Sequence, residues 1–326
     1  MTRDQGIYST RRSFCWTLAG ALVSPRIAIA QASTAVRRIG VLCADSEKGA
    51  AEPIQAFRSG LEELGWNQQR VVFIWRWANG RLDDLPRLAA ELVELRVDLI
   101  LACGFGASDA AARSIRKIPV VFPDAWDPAG DRVVASLARP SGNATGLSIM
   151  APEMYAKELG LLKEVLPNLK KVGVLVHRYF AGELRAMQIT SRDLGIELET
   201  AETEPLNDLD VRLQRLADDG VQALAGLVNL GRAVLDKCIR FGLTHRIPLA
   251  DYTDAPPGLL SLEVDTNDMY RRAAGYVDKI LRGASPGELP MEQPIKFKLM
   301  VNVQTAKQFG LVLPQTLLLR ADKVIQ

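Results

Sequence analysis

The amino-acid sequence predicts an α/β fold in two similar lobes, each built around a doubly wound parallel sheet. Short unbroken apolar runs, which suit strands covered on both faces, alternate with amphipathic helical segments. The order of these segments in the first half recurs about 130 residues later. Gly40 in the first apolar run corresponds to Gly173, and Gly65 after the first helix corresponds to Gly195. A spacing this long excludes a solenoid repeat and indicates two related lobes.

The first half contains alternating strands and helices before a turn-rich segment. Unbroken apolar runs predict strands at 38–43, 71–77, 97–102 and 119–122. Apolar residues at helical spacing predict helices at 53–64, 83–95 and 108–115, and Gly65 ends the first of them. A short amphipathic helix is predicted at 131–138, before the turn formers at 139–143. We interpret 142–146 as a thin connection that leads from one lobe to the other.

The second half repeats this order and then adds a tail. Apolar runs predict strands at 171–176, 221–224 and 247–249. The tail has a long amphipathic helix at 265–281, a turn-rich connector at 283–290, an extended segment at 295–303 and a short helix at 305–309. We expect the tail to return to the first lobe and then to cross again.

Residues 1–30 have the features of an export signal. The pair Arg11 and Arg12 is followed by a short apolar stretch, and Ala28 and Ala30 supply the small residues of a cleavage site. The apolar stretch is too short to span a bilayer. We therefore expect a periplasmic protein, exported by the twin-arginine or the general secretory route. A disordered or amphipathic extension is the alternative.

The charge balance gives no support to nucleic-acid binding. The formal net charge is +2, and the first 30 residues hold four arginines against one aspartate. The remaining chain is nearly neutral and lacks the basic surface that phosphate backbones require.

The cysteines do not form the pattern of a disulfide framework. Cleavage would leave Cys43, Cys103 and Cys238, an odd number at wide spacing. Cys43 and Cys103 each lie near the end of a predicted strand, so one bridge between them is compatible with an oxidising compartment. Burial as small apolar core residues is the favoured interpretation.

Motifs for catalysis, metal binding and nucleotide binding are missing from the sequence. The two histidines, His177 and His245, have no metal-ligand spacing to any partner. Neither a dinucleotide-binding G-x-G-x-x-G, nor a phosphate-binding G-x-x-x-x-G-K, nor a G-x-S-x-G elbow occurs. We therefore expect no enzymatic activity, no cofactor and no metal site.

Polar and aromatic side chains instead follow the predicted strands. Because ligands in open α/β sheets bind beyond the carboxyl ends of the strands, we expect these side chains to line an interlobe cleft. The candidate ligand-binding residues are Asp45, Ser46, Phe105, Gly106, Ala107, Ser108, Asp124, Trp126 and Asp127 in the first half, and Arg178, Tyr179, Asn229, Asp251 and Tyr252 in the second.

These side chains suit a zwitterion with an apolar or aromatic part. The amides of the helix that starts near Ser108 favour a carboxylate, and Arg178 offers a second, bidentate partner for it. Asp124 or Asp127 is suited to an ammonium group, and Trp126 is one of four rings suited to stacking. A sugar is the rival ligand. The alternatives for single residues are helix capping by the aspartates, surface exposure of the arginine and core packing of the rings.

Several segments resemble a known protein family. They are FRSGLEELG at 57–65, RWANGR at 76–81, VASLARPSGNATG at 134–146, QPIKFKLMVN at 293–302, TAK at 305–307 and RAD at 320–322. On these motifs the chain resembles the substrate-binding proteins of ABC importers in the tryptophan/tyrosine-type group, along essentially the whole mature chain. The resemblance implies a type I periplasmic-binding-protein fold, in which three crossovers join the two lobes and the cleft captures the ligand.

The resemblance also implies a domain division and partners. We assign residues 36–145 plus 264–292 to the first lobe, and 146–263 plus 293–326 to the second. The expected partners are a small-molecule ligand and the ABC permease subunits in the membrane, with no nucleic acid, and we expect a monomer.

We therefore interpret the chain as an exported solute-binding protein that captures a small solute, such as an amino acid or an aromatic amino-acid-like compound, and delivers it to a permease. The alternative is a ligand-sensing module of a receptor or regulatory system, since the same fold serves both purposes. An enzyme is the third interpretation. The sequence contains no visible DNA-binding or signalling domain, which favours the importer component.

Overall fold

The computed structural model describes residues 36–104, 106–176, 181–203, 205–226, 232–250, 258–294 and 297–326. The predicted export signal lies outside these residues. The described residues form two sheets, with helices on both sides.

The first sheet consists of parallel strands from the first half of the chain. Its strands are β1 (Arg37–Cys43), β2 (Val71–Trp77), β3 (Leu99–Cys103), β4 (Val120–Ala125) and β5 (Ala144–Ser148). The connecting helices are α1 (Ala51–Glu63), α2 (Leu85–Glu94) and α3 (Ala107–Ser114), and a 3-10 turn at Leu82–Asp84 precedes α2. The strand order is β2-β1-β3-β4-β5, and every pairing between neighbours is parallel.

The second sheet is formed by the rest of the chain. Its strands are β6 (Lys171–Val176), β7 (Glu197–Glu202), β8 (Ala223–Gly226), β9 (Leu249–Ala250), β10 (Leu260–Glu263), β11 (Lys298–Asn302) and β12 (Lys323–Ile325). The helices of this part are α4 (Ala151–Val165), α5 (Ala181–Asp193), α6 (Leu209–Asp218), α7 (Arg232–His245), α8 (Thr266–Leu281), α9 (Val303–Gln308) and α10 (Gln315–Arg320). The strand order is β12-β11-β10-β9-β8-β6-β7, with β11 antiparallel to β10.

The two sheets repeat the same strand order. The run β7-β6-β8-β9-β10 in the second sheet corresponds strand by strand to β2-β1-β3-β4-β5 in the first. This confirms the predicted α/β fold with two doubly wound parallel sheets. Because a parallel pair needs a crossover connection, each β-α-β unit places a helix against a sheet face.

The glycine repeat seen in the sequence has a packing cause. A Cβ atom on Gly40 in β1 would lie 3.1 Å from Leu92 of α2, and one on Gly173 in β6 would lie 2.9 Å from Leu216 of α6. In both halves the first strand therefore carries no side chain at the point where the second helix crosses it. The repeated glycine allows the helix to approach the strand closely.

Helix α8 packs on the first sheet although it follows the second sheet in sequence. It lies beside α1 and against β4, and the Trp66 indole Nε1 after α1 donates a hydrogen bond to Asp278 of α8 at 2.8 Å. The guanidinium groups of Arg70 and Arg282 lie over the faces of the same indole. The predicted return of the tail to the first lobe therefore matches the position of α8.

Among the described residues, three connections run between the two sheets: β5 to α4, β10 to α8, and the segment before β11. The first and third are joined directly, since the Ser148 amide donates to the Glu292 carbonyl at 2.9 Å and the Glu292 amide donates to the Gly146 carbonyl at 3.0 Å. Lys298 at the start of β11 pairs with Asp265 before α8 at 2.6 Å. The interpretation of 142–146 as the connection is wrong, because its last residues are buried in β5.

The predicted helix at 131–138 is also wrong, because this segment forms turns. The amides of Val133 and Val134 both donate to the Pro128 carbonyl at 2.9 Å. Arg132 has a φ of +58°, in the left-handed region that interrupts a right-handed helix. A few valine, leucine and alanine positions at helical spacing are too short a pattern to outweigh the surrounding turn formers.

Cys43, Cys103 and Cys238 are buried, and none of the three forms a disulfide. Cys43 and Cys103 are register partners on the neighbouring strands β1 and β3. No helix within the described ranges is long and apolar enough to cross a membrane.

Candidate ligand-binding site

The described part of the candidate site lies at the carboxyl edge of the first sheet. Because β1, β3 and β4 are parallel neighbours, their carboxyl ends meet at this edge. Asp45 and Ser46 follow β1, residues 106–108 follow β3, and Asp124, Trp126 and Asp127 lie at or beyond the end of β4. The sheet therefore brings the described candidates of the first half to one edge.

Asp124 is held by hydrogen bonds from two other segments. Its carboxylate accepts from the Gly104 amide, at 3.0 and 3.2 Å to the two oxygens, and from the Tyr270 hydroxyl of α8 at 2.9 Å. Burial raises the pKa of Asp124 from 3.8 to about 6, and the two hydrogen bonds act in the opposite direction. The carboxylate is thus occupied within the protein, which competes with the predicted role as an ammonium partner.

The N-terminus of α3 faces the same edge. Gly106 precedes the helix with a φ of +78°, and no side chain of the described residues caps the first turn. Ala107 is buried and Ser108 is partly exposed. The amides of a first helical turn lack partners inside the helix and form the positive end of its dipole. This terminus therefore offers hydrogen-bond donors to an anionic group.

Asp45, Ser46 and Asp127 each form a local turn. Asp45 accepts from the Ser46 amide at 2.8 Å, the Ser46 hydroxyl accepts from the Gly49 amide at 3.1 Å, and Asp127 accepts from the Gly130 amide at 3.0 Å. These contacts are turns within loops and not helix caps, since the N-cap residue of α1 is Ala50, without a side-chain cap, and no helix follows Asp127 directly. None of the three is fully buried, so their remaining lone pairs stay accessible to solvent.

Negative charge is concentrated beyond the end of β4. Burial, together with the charges of Asp127 and Asp109, raises the pKa of Asp131 from 3.8 to about 6. Asp109 is paired with Arg113 at 2.7 Å along α3. The potential around Asp127 and Asp131 therefore favours a cation.

Trp126 is buried, which leaves little of its ring accessible for stacking on a ligand. Its residue surface is only 8% exposed, and its ring lies 6.4 Å from the ring of Tyr155 in α4, at an interplanar angle of 37°. The Trp126 carbonyl accepts a hydrogen bond from the Ser148 hydroxyl at 3.3 Å. Trp126 thus links the end of β4 to the start of α4, and little of it faces the edge.

The remaining predicted site residues cannot be placed at this edge. Phe105, Arg178, Tyr179, Asn229, Asp251 and Tyr252 lie outside the described residues. Their predicted roles stay predictions.

Tyr270 contacts the candidate site residue Asp124, and the sequence patterns did not predict this contact. The apolar spacing predicts the helix that carries it, at 265–281, but indicates only packing surface on its apolar side. The sequence does contain one indication of this contact, a tyrosine on the same helix face as Ala273, Ala274 and Val277. A tyrosine buried on that face needs a hydrogen-bond partner for its hydroxyl. That partner is Asp124.

A family model decides what kind of protein this is. The model of the family described as "ABC transporter substrate binding protein" matches residues 38–325. The chain belongs to this family. The family consists of solute-binding proteins and not of enzymes, and the resemblance found in the sequence motifs is confirmed.

The proteins similar to this chain in sequence or structure include a tyrosine-binding protein and two proteins of known structure. A tyrosine-binding protein of Clostridioides difficile (strain R20291) is 21% identical over 266 residues, which cover 78% of this chain and 75% of the relative. A crystal structure of a conserved domain protein from Vibrio cholerae has a TM-score of 0.81 at 23% identity, covering 89% of this chain and 100% of the other. An ABC domain in complex with L-Trp from Streptococcus pneumonia has a TM-score of 0.79 at 22% identity, with the same coverage. The two structures share the fold.

Metal binding has no support in the described part of the chain. No group of three or more histidine, cysteine, aspartate or glutamate side chains within those ranges is arranged to hold a metal ion.

Proposed function

We propose that this protein is the exported solute-binding component of an ABC importer, and that it captures an aromatic amino acid or a similar small zwitterion between its lobes. The observation that carries the proposal is the family match along residues 38–325. One relative is named a tyrosine-binding protein, and one solved structure of the same fold is in complex with L-Trp. These names favour an aromatic amino acid over a sugar.

The edge of the first sheet supports separate binding sites for the carboxylate and the ammonium group of the ligand. The uncapped N-terminus of α3, around Ser108, receives the carboxylate. Asp127 receives the ammonium, because Asp131 increases the negative potential around it and its own turn uses only one of its oxygens. Asp45 and Ser46 lie along the same edge and line the cleft.

The second lobe supplies the opposite wall in this proposal. Arg178 reinforces the carboxylate site, and Asn229 and Asp251 add polar contacts. Tyr179 and Tyr252, with Phe105 from the first lobe, enclose the aromatic side of the ligand. The proposed lobes are residues 36–145 plus 264–292 and residues 146–263 plus 293–326, with the first boundary moved to the end of β5 at Ser148, because β5 belongs to the first sheet. The lobes close about the connections between the sheets.

The proposed location is the periplasm, where the protein acts as a monomer and hands its solute to the permease subunits of the importer. The features of residues 1–30, with the pair Arg11 and Arg12 and a cleavage site after Ala30, support export. Family membership supports the same location.

Ligand-induced thermal stabilisation tests the proposed function. L-Tyrosine and L-tryptophan are expected to raise the melting temperature, since a ligand present at a hundredfold excess over its Kd stabilises the folded state by about 2.7 kcal/mol. This corresponds to a shift of several degrees in a protein of this size. D-Glucose and D-galactose serve as sugar controls at the same concentrations.

Two analogues of tyrosine separate the two charged contacts. Tyramine lacks the carboxylate, and 3-(4-hydroxyphenyl)propanoate lacks the ammonium. Both are expected to bind more weakly than L-tyrosine in calorimetry, because each leaves one desolvated group of the site without a partner. Tight binding of a sugar with both amino acids inert would refute the amino-acid assignment. Equal binding of L-tyrosine and tyramine would refute the carboxylate site.

A further inference from the structure

A chain of hydrogen bonds connects α8 to the first residue of α3. The Tyr270 hydroxyl donates to Asp124, and Asp124 accepts from the Gly104 amide. The Gly104 carbonyl in turn accepts from the Ala107 amide at 3.2 Å. Three segments that are distant in sequence are thus joined directly behind the proposed carboxylate site.

The position of Gly104 makes this connection important for the site. Gly104 has a φ of +81°, and a Cβ atom there would lie 3.1 Å from the Ala44 side chain. The backbone after β3 is therefore turned sharply before α3 begins, and Asp124 holds the amide on which that turn depends. A displaced Gly104 would redirect the first turn of α3.

The surroundings of Asp124 contain no described cation. Its titratable neighbours are the Cys103 thiol on β3 and the Tyr270 hydroxyl on α8, and the Cys43 thiol on β1 interacts with both of these groups. Burial is the largest cause that raises the pKa of Tyr270, and the tyrosine is only 3% exposed, so it remains a neutral donor. Within the described part of the chain, hydrogen bonds and not ion pairs stabilise the carboxylate.

We propose that Asp124 and Tyr270 are positioning residues for ligand binding, which hold the Gly104 turn so that the amides of α3 are aimed at the ligand carboxylate. This inference rests on the proposed function. In this role Asp124 acts through Gly104 and does not contact the ammonium group of the ligand.

A pH dependence follows from the geometry. The ionised carboxylate accepts from both donors in charge-assisted hydrogen bonds, whereas the protonated form is neutral and holds the Gly104 amide and the Tyr270 hydroxyl more weakly. With a pKa of about 6 for Asp124, the affinity for the ligand is expected to be constant above that pH and to fall below it.

The contribution of Asp124 to the free energy of unfolding changes with pH in the opposite direction. Because the folded-state pKa lies above the unfolded value of 3.8, this group favours the folded state most below pH 3.8 and loses that contribution as pH rises through 6.

The first test compares two tyrosines of the same helix. Tyr270→Phe removes the hydroxyl that donates to Asp124, and Tyr276→Phe removes a buried hydroxyl that donates to the Pro290 carbonyl at 2.6 Å. With L-tyrosine as the probe in calorimetry at pH 7.5, we expect Tyr270→Phe to weaken binding about threefold to tenfold, the effect of one lost hydrogen bond. Tyr276→Phe is expected to bind as the wild type does. Equal losses in both variants would overturn the proposal.

The second test uses Asp124→Asn, which keeps the shape of the side chain and removes its titration. The wild type is expected to bind L-tyrosine more weakly at pH 5 than at pH 7.5, and the variant is expected to lose this difference. A loss above about a hundredfold in Asp124→Asn, with Tyr270→Phe unaffected, would identify Asp124 as the ammonium partner and overturn the positioning role.

A measurement without ligand separates this inference from the proposed function. Amide hydrogen exchange at Gly104, followed by NMR in the ligand-free protein, is expected to be faster in Tyr270→Phe and unchanged in Tyr276→Phe. Unchanged exchange in both variants would overturn the inference whatever ligand the protein binds. Failure of L-tyrosine and L-tryptophan to bind the wild type would instead refute the proposed function.

Discussion

Replacing Gly146 by alanine is expected to remove a large part of the folding free energy. Gly146 lies in the buried strand β5 with a φ of +138°, and a Cβ atom would lie 2.0 Å from the Phe122 carbonyl oxygen and 2.6 Å from its nitrogen. Phe122 is the register partner of Gly146 on β4, so the methyl group would separate two paired strands. We expect a loss of about 4 kcal/mol or more, out of roughly 5–15 kcal/mol for a whole domain.

Gly142→Ala is the matched control for this prediction. Gly142 also has a positive φ of +90° and lies four residues earlier, but no atom is within 4 Å of a Cβ placed there. Its substitution carries only the conformational cost of the backbone, about 1–2 kcal/mol. Chemical denaturation of both variants gives the difference. Similar unfolding midpoints for the two would show that crowding by Phe122 is relieved by a small movement of β4.

Gly146→Ala is also expected to disturb the hydrogen bonds that join two connections between the sheets. The carbonyl of Gly146 accepts the Glu292 amide, and the following Leu147 and Glu292 form a parallel bridge. Glu292 is also paired with Arg272 of α8. A displaced β5 would therefore disturb two of the three connections at once, so a correctly folded fraction of this variant is also expected to bind ligand weakly.

Most strands were predictable from the sequence because an apolar run is local information, whereas β7 and β10 were not predicted. The strands at 71–77 and 171–176 have the predicted bounds. The apolar run of β6 is buried between helices, whereas that of β2 lies at the sheet edge and is mostly half-buried. The repeated glycines predicted two related halves. The helix at 131–138 failed because a few apolar residues at helical spacing do not overcome a left-handed residue and neighbouring turn formers.

The contacts of the site were less predictable because they join distant parts of the chain. Tyr270 and Asp124 are 146 residues apart, and periodicity identifies which face of α8 is buried but not which carboxylate it meets. The packing of Trp126 is a second contact that the sequence did not predict. Its position after a strand predicted a ring at the cleft, whereas its packing against Tyr155 became visible only from the placement of α4. Sequence position therefore indicated the correct edge of the sheet and not the role of each side chain.

The second large effect is expected from Ser108→Asp, which places a carboxylate in the first turn of α3. A negative charge at a helix N-terminus stabilises the helix by about 0.3–1 kcal/mol, so the melting temperature of the ligand-free protein is expected to stay equal or to rise. The same charge would repel the carboxylate of a bound amino acid, and like charges at an interface cost several kcal/mol. We therefore expect the affinity for L-tyrosine to fall by more than about a hundredfold.

Ser108→Asn is the control, because asparagine has nearly the shape of aspartate and no charge. The native acidic residue of this turn, Asp109, is already paired with Arg113, so the added carboxylate of Ser108→Asp is the new unpaired charge. Tyramine provides a second control, since a ligand without a carboxylate is not repelled and gains from the added negative charge. Calorimetry with L-tyrosine and tyramine on the two variants measures all four combinations. Equal affinities of Ser108→Asp and Ser108→Asn for L-tyrosine would place the ligand carboxylate elsewhere and transfer that role to the opposite lobe.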